Sequence, residues 1–166
     1  MSGGHTIFVG LGSNLGDRIA QCRFGIGALE EGGSIRVTAR SRFYLTEPQG
    51  YREQDWFVNA VVRGETGLSP AAVLARLKEI ERRAGREPGG IPCGPRVLDL
   101  DLLLYDGLVL DLPGLTLPHP RLAERRFVLQ PLCDIDPDVR HPVLGQTARE
   151  LLRGLGESGQ RVEAIS

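Results

Sequence analysis

Two carboxylates, Asp99 and Asp101, stand inside the apolar run 94–107, GPRVLDLDLLLYDG. Side chains two apart on a β-strand share a face, so these acids project together while Leu98, Leu100 and Leu102 point the other way. Like charges at that spacing repel, and burying them uncompensated is costly, so the pattern requires a cation between them. Hard oxygen ligands of this kind suit Mg²⁺. An Asp-x-Asp pair alone is more often a solvated strand edge. Leu98, Leu100, Leu102, Leu103 and Leu104 weigh against that, because they read as an interior strand covered on both faces.

Basic residues gather on either side of the pair, at Arg82, Arg83, Arg86 and Arg96 and again at Arg121, Arg125 and Arg126. A divalent cation beside several arginines is the equipment of phosphoryl transfer, where metal and guanidinium groups offset charge on the moving phosphate. No P-loop accompanies them. The turn 10–16, GLGSNLG, lacks both the Gly-Lys-Ser/Thr ending and the Gly-x-Gly-x-x-Gly spacing, and reads as a plain strand-to-helix turn. His119 lies between Pro118 and Pro120, which hold its backbone extended and fix its side-chain direction for a hydrogen bond to phosphate.

The elements that must position these groups are legible from periodicity and punctuation. Residues 5–11 read as a strand, and Asn14 or Asp17 caps a helix running to about Glu31, stopped by Gly32-Gly33. Residues 34–45 and 56–65 alternate like two strands of a hairpin, and Ser69-Pro70 opens a helix to about Ala84. The stretch 85–95, GREPGGIPCGP, is too broken for regular structure and is a candidate lid. After the acidic strand, Asp106-Gly107 is expected to turn a hairpin into residues 108–110. Helical segments follow at 127–135 and 147–155, then a short strand at 161–165. The order predicts an α+β fold, a ferredoxin-like βαββαβ sandwich with a mostly antiparallel sheet and flanking helices.

Composition bounds the rest. At 166 residues and 41% hydrophobic content, a single domain over 1–166 is expected, with a full core. Twenty basic against 21 acidic side chains, net -1, argue against a general nucleic-acid binder. Three cysteines without metal spacing, and no leader-like or membrane-spanning stretch, predict a cytoplasmic protein with free thiols and no membrane partner. Cys22 and Cys133 read as small core residues, whereas Cys93 sits in the glycine-rich loop.

Five motifs, GLGSNLGDR at 10–18, FYLTEPQG at 43–50, WFVNAVV at 56–62, GPRVLDLD at 94–101 and LPHPRLAERRFVLQPL at 117–132, together resemble the 6-hydroxymethyl-7,8-dihydropterin pyrophosphokinases of folate biosynthesis. The resemblance covers nearly the whole chain. It implies transfer of pyrophosphate from ATP to the hydroxymethyl group of a reduced pterin, releasing AMP, by a monomer with two Mg²⁺ ions on Asp99 and Asp101. It implies a pterin site of Thr46, Pro48 and Asn59, with Phe57 and Phe127 sandwiching the ring. Arg86, Arg96, His119 and Arg125 match triphosphate positions, and Lys78, Glu81, Leu102 and Thr116 fall at or near the nucleoside pocket. Arg86 and Arg96, with the two aspartates, make the implied catalytic set.

The chain departs from the family in its loop. Pro88 and Cys93 stand where the family commonly has a second Arg and an aromatic, and Gly114 stands where a basic residue is frequent. Retained chemistry with altered loop closure is the expectation. Three other readings stay open at this level: another metal-dependent nucleotide enzyme, a silent nucleotide- or RNA-binding module, and a decayed pyrophosphokinase. The first has no use for Asn59, Phe57 and Phe127 together, and a paired-acid strand repels phosphate unless metal is present. The general base is also open, since a carboxylate engaged by Mg²⁺ is a poor base.

Overall fold

The computed structural model describes residues 4–48, 54–85, 97–156 and 160–165. Strand β1 (His5–Ser13) leads into helix α1 (Arg18–Glu30), whose N-cap is Asp17, with its carboxylate accepting from the Ala20 N–H at 3.1 Å. Strands β2 (Ile35–Arg40), β3 (Tyr44–Thr46) and β4 (Phe57–Thr66) follow. Helix α2 (Pro70–Arg83) starts as its Ser-Pro opening requires, the Ser69 hydroxyl capping the Ala72 N–H. Strand β5 (Asp99–Tyr105) carries the paired acids. Strands β6 (Leu110–Leu112) and β7 (Leu115–Leu117), helices α3 (Arg126–Ile135) and α4 (Ala148–Gly154), and strand β8 (Val162–Ala164) complete the described elements.

The main sheet is antiparallel, in the order β5-β1-β4-β3-β8, with β2 also paired to β4. The expected antiparallel sheet with flanking helices is what forms. The helices lie on both faces. Ile7, Val9, Leu11, Leu100 and Leu102 pack under α1 and α2 with Ile26, Leu29, Leu77 and Ile80, while Phe8, Val61, Leu103 and Leu104 pack under α3 and α4 with Leu129, Leu132 and Leu151. A register shift between Phe8 and Val9 turns both Leu103 and Leu104 toward α3, so that Tyr105 returns to the other side. Cys22 is buried in the first cluster and Cys133 packs on the second, as small apolar residues do.

Three expectations change. The 34–45 strand is broken in two, because at Ser41 the hydroxyl rather than a carbonyl takes the Val61 N–H, at 2.9 Å, and the ladder restarts at Tyr44. Asp106-Gly107 does turn, with Asp106 at φ 49°, yet the chain leaves the sheet: β6 pairs with β7 in a separate two-stranded ribbon. Consequently, among the described residues β5 is an edge strand, not an interior one, and its two acids are half-exposed rather than buried. An edge lets water reach carboxylates that an interior strand would not.

Candidate active site

Strand register assembles the site before any side-chain detail. On β1, Gly10 pairs with Asp101 and Gly12 with Asp99 on one side, and with Val61 and Asn59 on the other. Tyr44 pairs with Asn59, and Thr46 with Phe57. Direct cross-strand partners share a face, so Asp99, Asp101, Asn59, Phe57 and Thr46 all line the face that α3 partly covers. Gly10 and Gly12 floor the trough between the acids and the rest. With strands about 5 Å apart, β5 and β4 hold their groups roughly 10 Å apart across it.

On the β4 side, the Thr46 hydroxyl donates to Asn59 Oδ1 at 2.5 Å and Asn59 Nδ2 donates to the Leu11 carbonyl at 3.2 Å. The amide of a 7%-exposed asparagine is thereby fixed in direction at both ends, each atom keeping a second hydrogen-bonding capacity. Pro48 is buried nearby in sequence, and Phe57 and Phe127 are half-buried, Phe127 packing on the α3-side core. The GLGSNLGDR motif holds this end closed: Asn14 Nδ2 donates to Gln54 Oε1 at 2.7 Å and to the Asp55 carbonyl at 3.1 Å, and Arg18 donates to the Trp56 carbonyl at 2.7 Å. These bonds seat the start of β4 against the β1–α1 turn.

On the β5 side, an Arg125 guanidinium nitrogen stands 3.8 Å from Asp101 Oδ2, and the same group lies 5.4 Å over the Phe127 ring. Arg125 is thereby held between Asp101 and the Phe127 ring. The other described members of the basic cluster are occupied elsewhere: Arg82 by Glu79, Arg83 by Glu31 at 3.0 Å, Arg121 by Glu124 at 3.1 Å and Arg126 by the Gly156 carbonyl. His119 Nδ1 accepts from the Arg121 N–H at 3.1 Å, so a neutral ring carries its proton on Nε2. Burial, then the Arg125 charge, push its pKa down to about 4, against a smaller upward pull from Asp99.

The four nucleoside positions do not join the trough. Lys78 is exposed on α2, Glu81 is buried on the same helix, and the Leu102 side chain lies in the core under α1 and α2. Glu81 Oε2 accepts from the Leu100 N–H, between the two aspartates, at 2.8 Å. That N–H faces away from β1, so Glu81 covers the open edge of β5. Thr116, on β7 alongside β5, has its hydroxyl 3.5 Å from Asp111 Oδ1. Arg86 and Arg96, with Pro88 and Cys93, lie outside the described residues. Sequence reading missed Gly10, Gly12 and the Leu11 carbonyl; the signal was two glycines at strand spacing, which mark a close approach.

The model of the 7,8-dihydro-6-hydroxymethylpterin-pyrophosphokinase family matches residues 8–137. A Methylorubrum extorquens protein named 2-amino-4-hydroxy-6-hydroxymethyldihydropteridine pyrophosphokinase is 43% identical over 157 residues, covering 94% of this chain and 98% of the relative. A Pseudomonas aeruginosa protein of the same name is 41% identical, covering 82% and 83%. The folic acid synthesis protein fol1 of Schizosaccharomyces pombe is 39% identical over 93% of this chain, which spans 21% of that longer protein. A Plasmodium falciparum HPPK-DHPS crystal structure has the same fold, with a TM-score of 0.72 at 16% identity, covering 92% of this chain and 44% of that one. With the family model matched through all but the ends, and a relative of nearly equal length sharing more than two residues in five, the chain belongs to the 7,8-dihydro-6-hydroxymethylpterin-pyrophosphokinase family of folate-synthesis enzymes.

Proposed function

We propose that this chain transfers the β,γ-pyrophosphoryl group of ATP to the hydroxymethyl oxygen of 6-hydroxymethyl-7,8-dihydropterin. The observation that carries the reading is the single face on which Asp99 and Asp101 stand across a glycine floor from Thr46, Asn59 and Phe57. The substrate hydroxyl oxygen bonds the β-phosphorus while that atom's bond to the α,β-bridging oxygen breaks. AMP leaves with the bridging oxygen, and the hydroxyl proton passes to solvent.

Asn59 offers a donor and an acceptor side by side to a flat heterocycle, and Phe57 and Phe127 offer apolar surface for stacking. Arg125 neutralises phosphate charge, and neutral His119 presents its Nε2–H as a donor. By the family likeness, Arg86 and Arg96 add charge, and Lys78, Glu81, Leu102 and Thr116 border the nucleoside along the β5 edge, where Leu102 can offer only its main chain. The donor set fits Mg²⁺: among the described residues no group of three or more His, Cys, Asp or Glu could cage a metal, and two carboxylates that leave positions for water and phosphate oxygens are how this ion is usually held. Two such ions on Asp99 and Asp101 would supply charge neutralisation and alignment of the phosphates. The order β1-α1-β2-β4-α2-β5, with β5-β1-β4-β2 adjacent in the sheet, supports a ferredoxin-like plan to which β3 and β6 to β8 are additions.

Purified protein given Mg-ATP and 6-hydroxymethyl-7,8-dihydropterin is expected to release AMP, and Asp101→Ala to lower kcat by at least about 10²-fold with its circular dichroism unchanged. Formation of ADP, or no AMP at any Mg²⁺ concentration, overturns the proposal.

A further inference from the structure

We propose that Gly12 is a positioning residue for substrate selection: having no side chain there lets the Asn59 amide lie across β1 with both ends bonded, which sets the direction of the edge it presents to the heterocycle. The inference rests on the pyrophosphokinase reading above and names a residue that acts through another.

A glycine inside a strand weakens it relative to alanine and so needs a reason. β1 has two glycines on the site face, two residues apart, and they are not equivalent. A Cβ built on Gly10 would meet only the Leu103 side chain, at 3.5 Å, an ordinary contact. A Cβ built on Gly12 would stand 2.6 Å from Asn59 Nδ2, closer than real Cβ contacts come, and 3.7 Å from a Phe57 ring carbon. Gly12 is not among the positive-φ glycines, so its backbone suits any residue and the demand for glycine is steric.

The atom in the way is the end of a rotatable side chain, so a methyl at position 12 moves Asn59 rather than the strand. Moving it breaks the bonds to Thr46 and to the Leu11 carbonyl, and turns the donor and acceptor away from the ring they would read. A displaced reading edge loses discrimination steeply, because buried polar groups of the site are then left unpaired with the substrate. The ligand class this edge selects is a planar heterocycle carrying a cyclic-amide edge.

The test is a double-mutant cycle of Gly12→Ala and Asn59→Ala, with Gly27→Ala as control, an exposed α1 glycine outside the trough where a built Cβ meets nothing within 4 Å, read as kcat/KM for the dihydropterin and as affinity for a non-hydrolysable ATP analogue with Mg²⁺. Gly12→Ala is expected to lower kcat/KM for the pterin about tenfold or more, with melting temperature and nucleotide affinity held. Gly27→Ala should change neither by more than about twofold, and Gly12→Ala should add nothing on the Asn59→Ala background. Wild-type activity in Gly12→Ala, or an equal further loss on that background, which would mean the methyl blocks substrate directly, overturns the assignment. Failure of the wild type to use the pterin removes the proposed function and this inference with it.

Discussion

His119 shows how one side chain's surroundings set its chemistry. Burial and the neighbouring arginines hold its pKa at about 4, below the ordinary 6.5, so the folded protein keeps the ring neutral throughout the physiological range. Because the folded state binds this proton less readily than the unfolded chain, the stabilisation is complete above about pH 6.5, falls as pH drops through that value and is gone below about 4. The difference corresponds to roughly 3 kcal/mol, reduced to about 2 by solvent screening at a half-buried position. Denaturant unfolding between pH 7 and pH 4 should therefore show the wild type losing about 2 kcal/mol more than His119→Gln; parallel pH profiles would refute the buried neutral histidine. The two flanking prolines announced a constrained histidine. They carried no information on the burial that does most to suppress its protonation, which only the packed fold supplies.

At the scale of elements, the contact that ties α2 to β5 is the buried Glu81 carboxylate on the Leu100 N–H. It satisfies an edge donor that would otherwise face a partly dry interior, and it fixes the main chain between Asp99 and Asp101. Glu81→Ala should cost about 1–3 kcal/mol of stability by leaving that N–H unsatisfied, and should also raise the Mg²⁺ concentration needed for half-maximal activity. Glu81→Gln retains an acceptor and should recover most of both. Equal damage from the two variants would mean that the charge, not the acceptor, is what counts.

Helices were the most legible elements, since Asp17, Ser69-Pro70 and Thr147 mark their starts with side chains that answer exposed N–H groups locally. Whether β5 was interior or edge could not be read the same way. Its leucines are needed in either case, because a covered edge strand buries as much as a central one.

The whole molecule divides its core between two faces of one sheet. Leu77 and Leu129 are each fully buried, one on the inner face of α2 and one on that of α3, with the sheet between them. Each Leu→Ala substitution should cost about 3 kcal/mol, and the double variant should lose the sum to within about 0.5 kcal/mol, since no partner is shared. Chemical denaturation of the three variants measures both. A large coupling would mean that the sheet transmits strain between its faces.

From the sequence alone came the candidates for the site, paired acids at strand spacing and a constrained histidine, and a conjunction of motifs that named the family. Those signals are local, and residue type and spacing are enough to carry them. Tertiary structure alone decided that Arg125 reaches Asp101, that Glu81 serves the strand backbone, and that Gly12 makes room for Asn59. Each of these depends on contact between residues 19 or more apart in sequence. For Glu81, the N–H bound was left open because β6 turns away from β5, and no spacing within one segment encodes that.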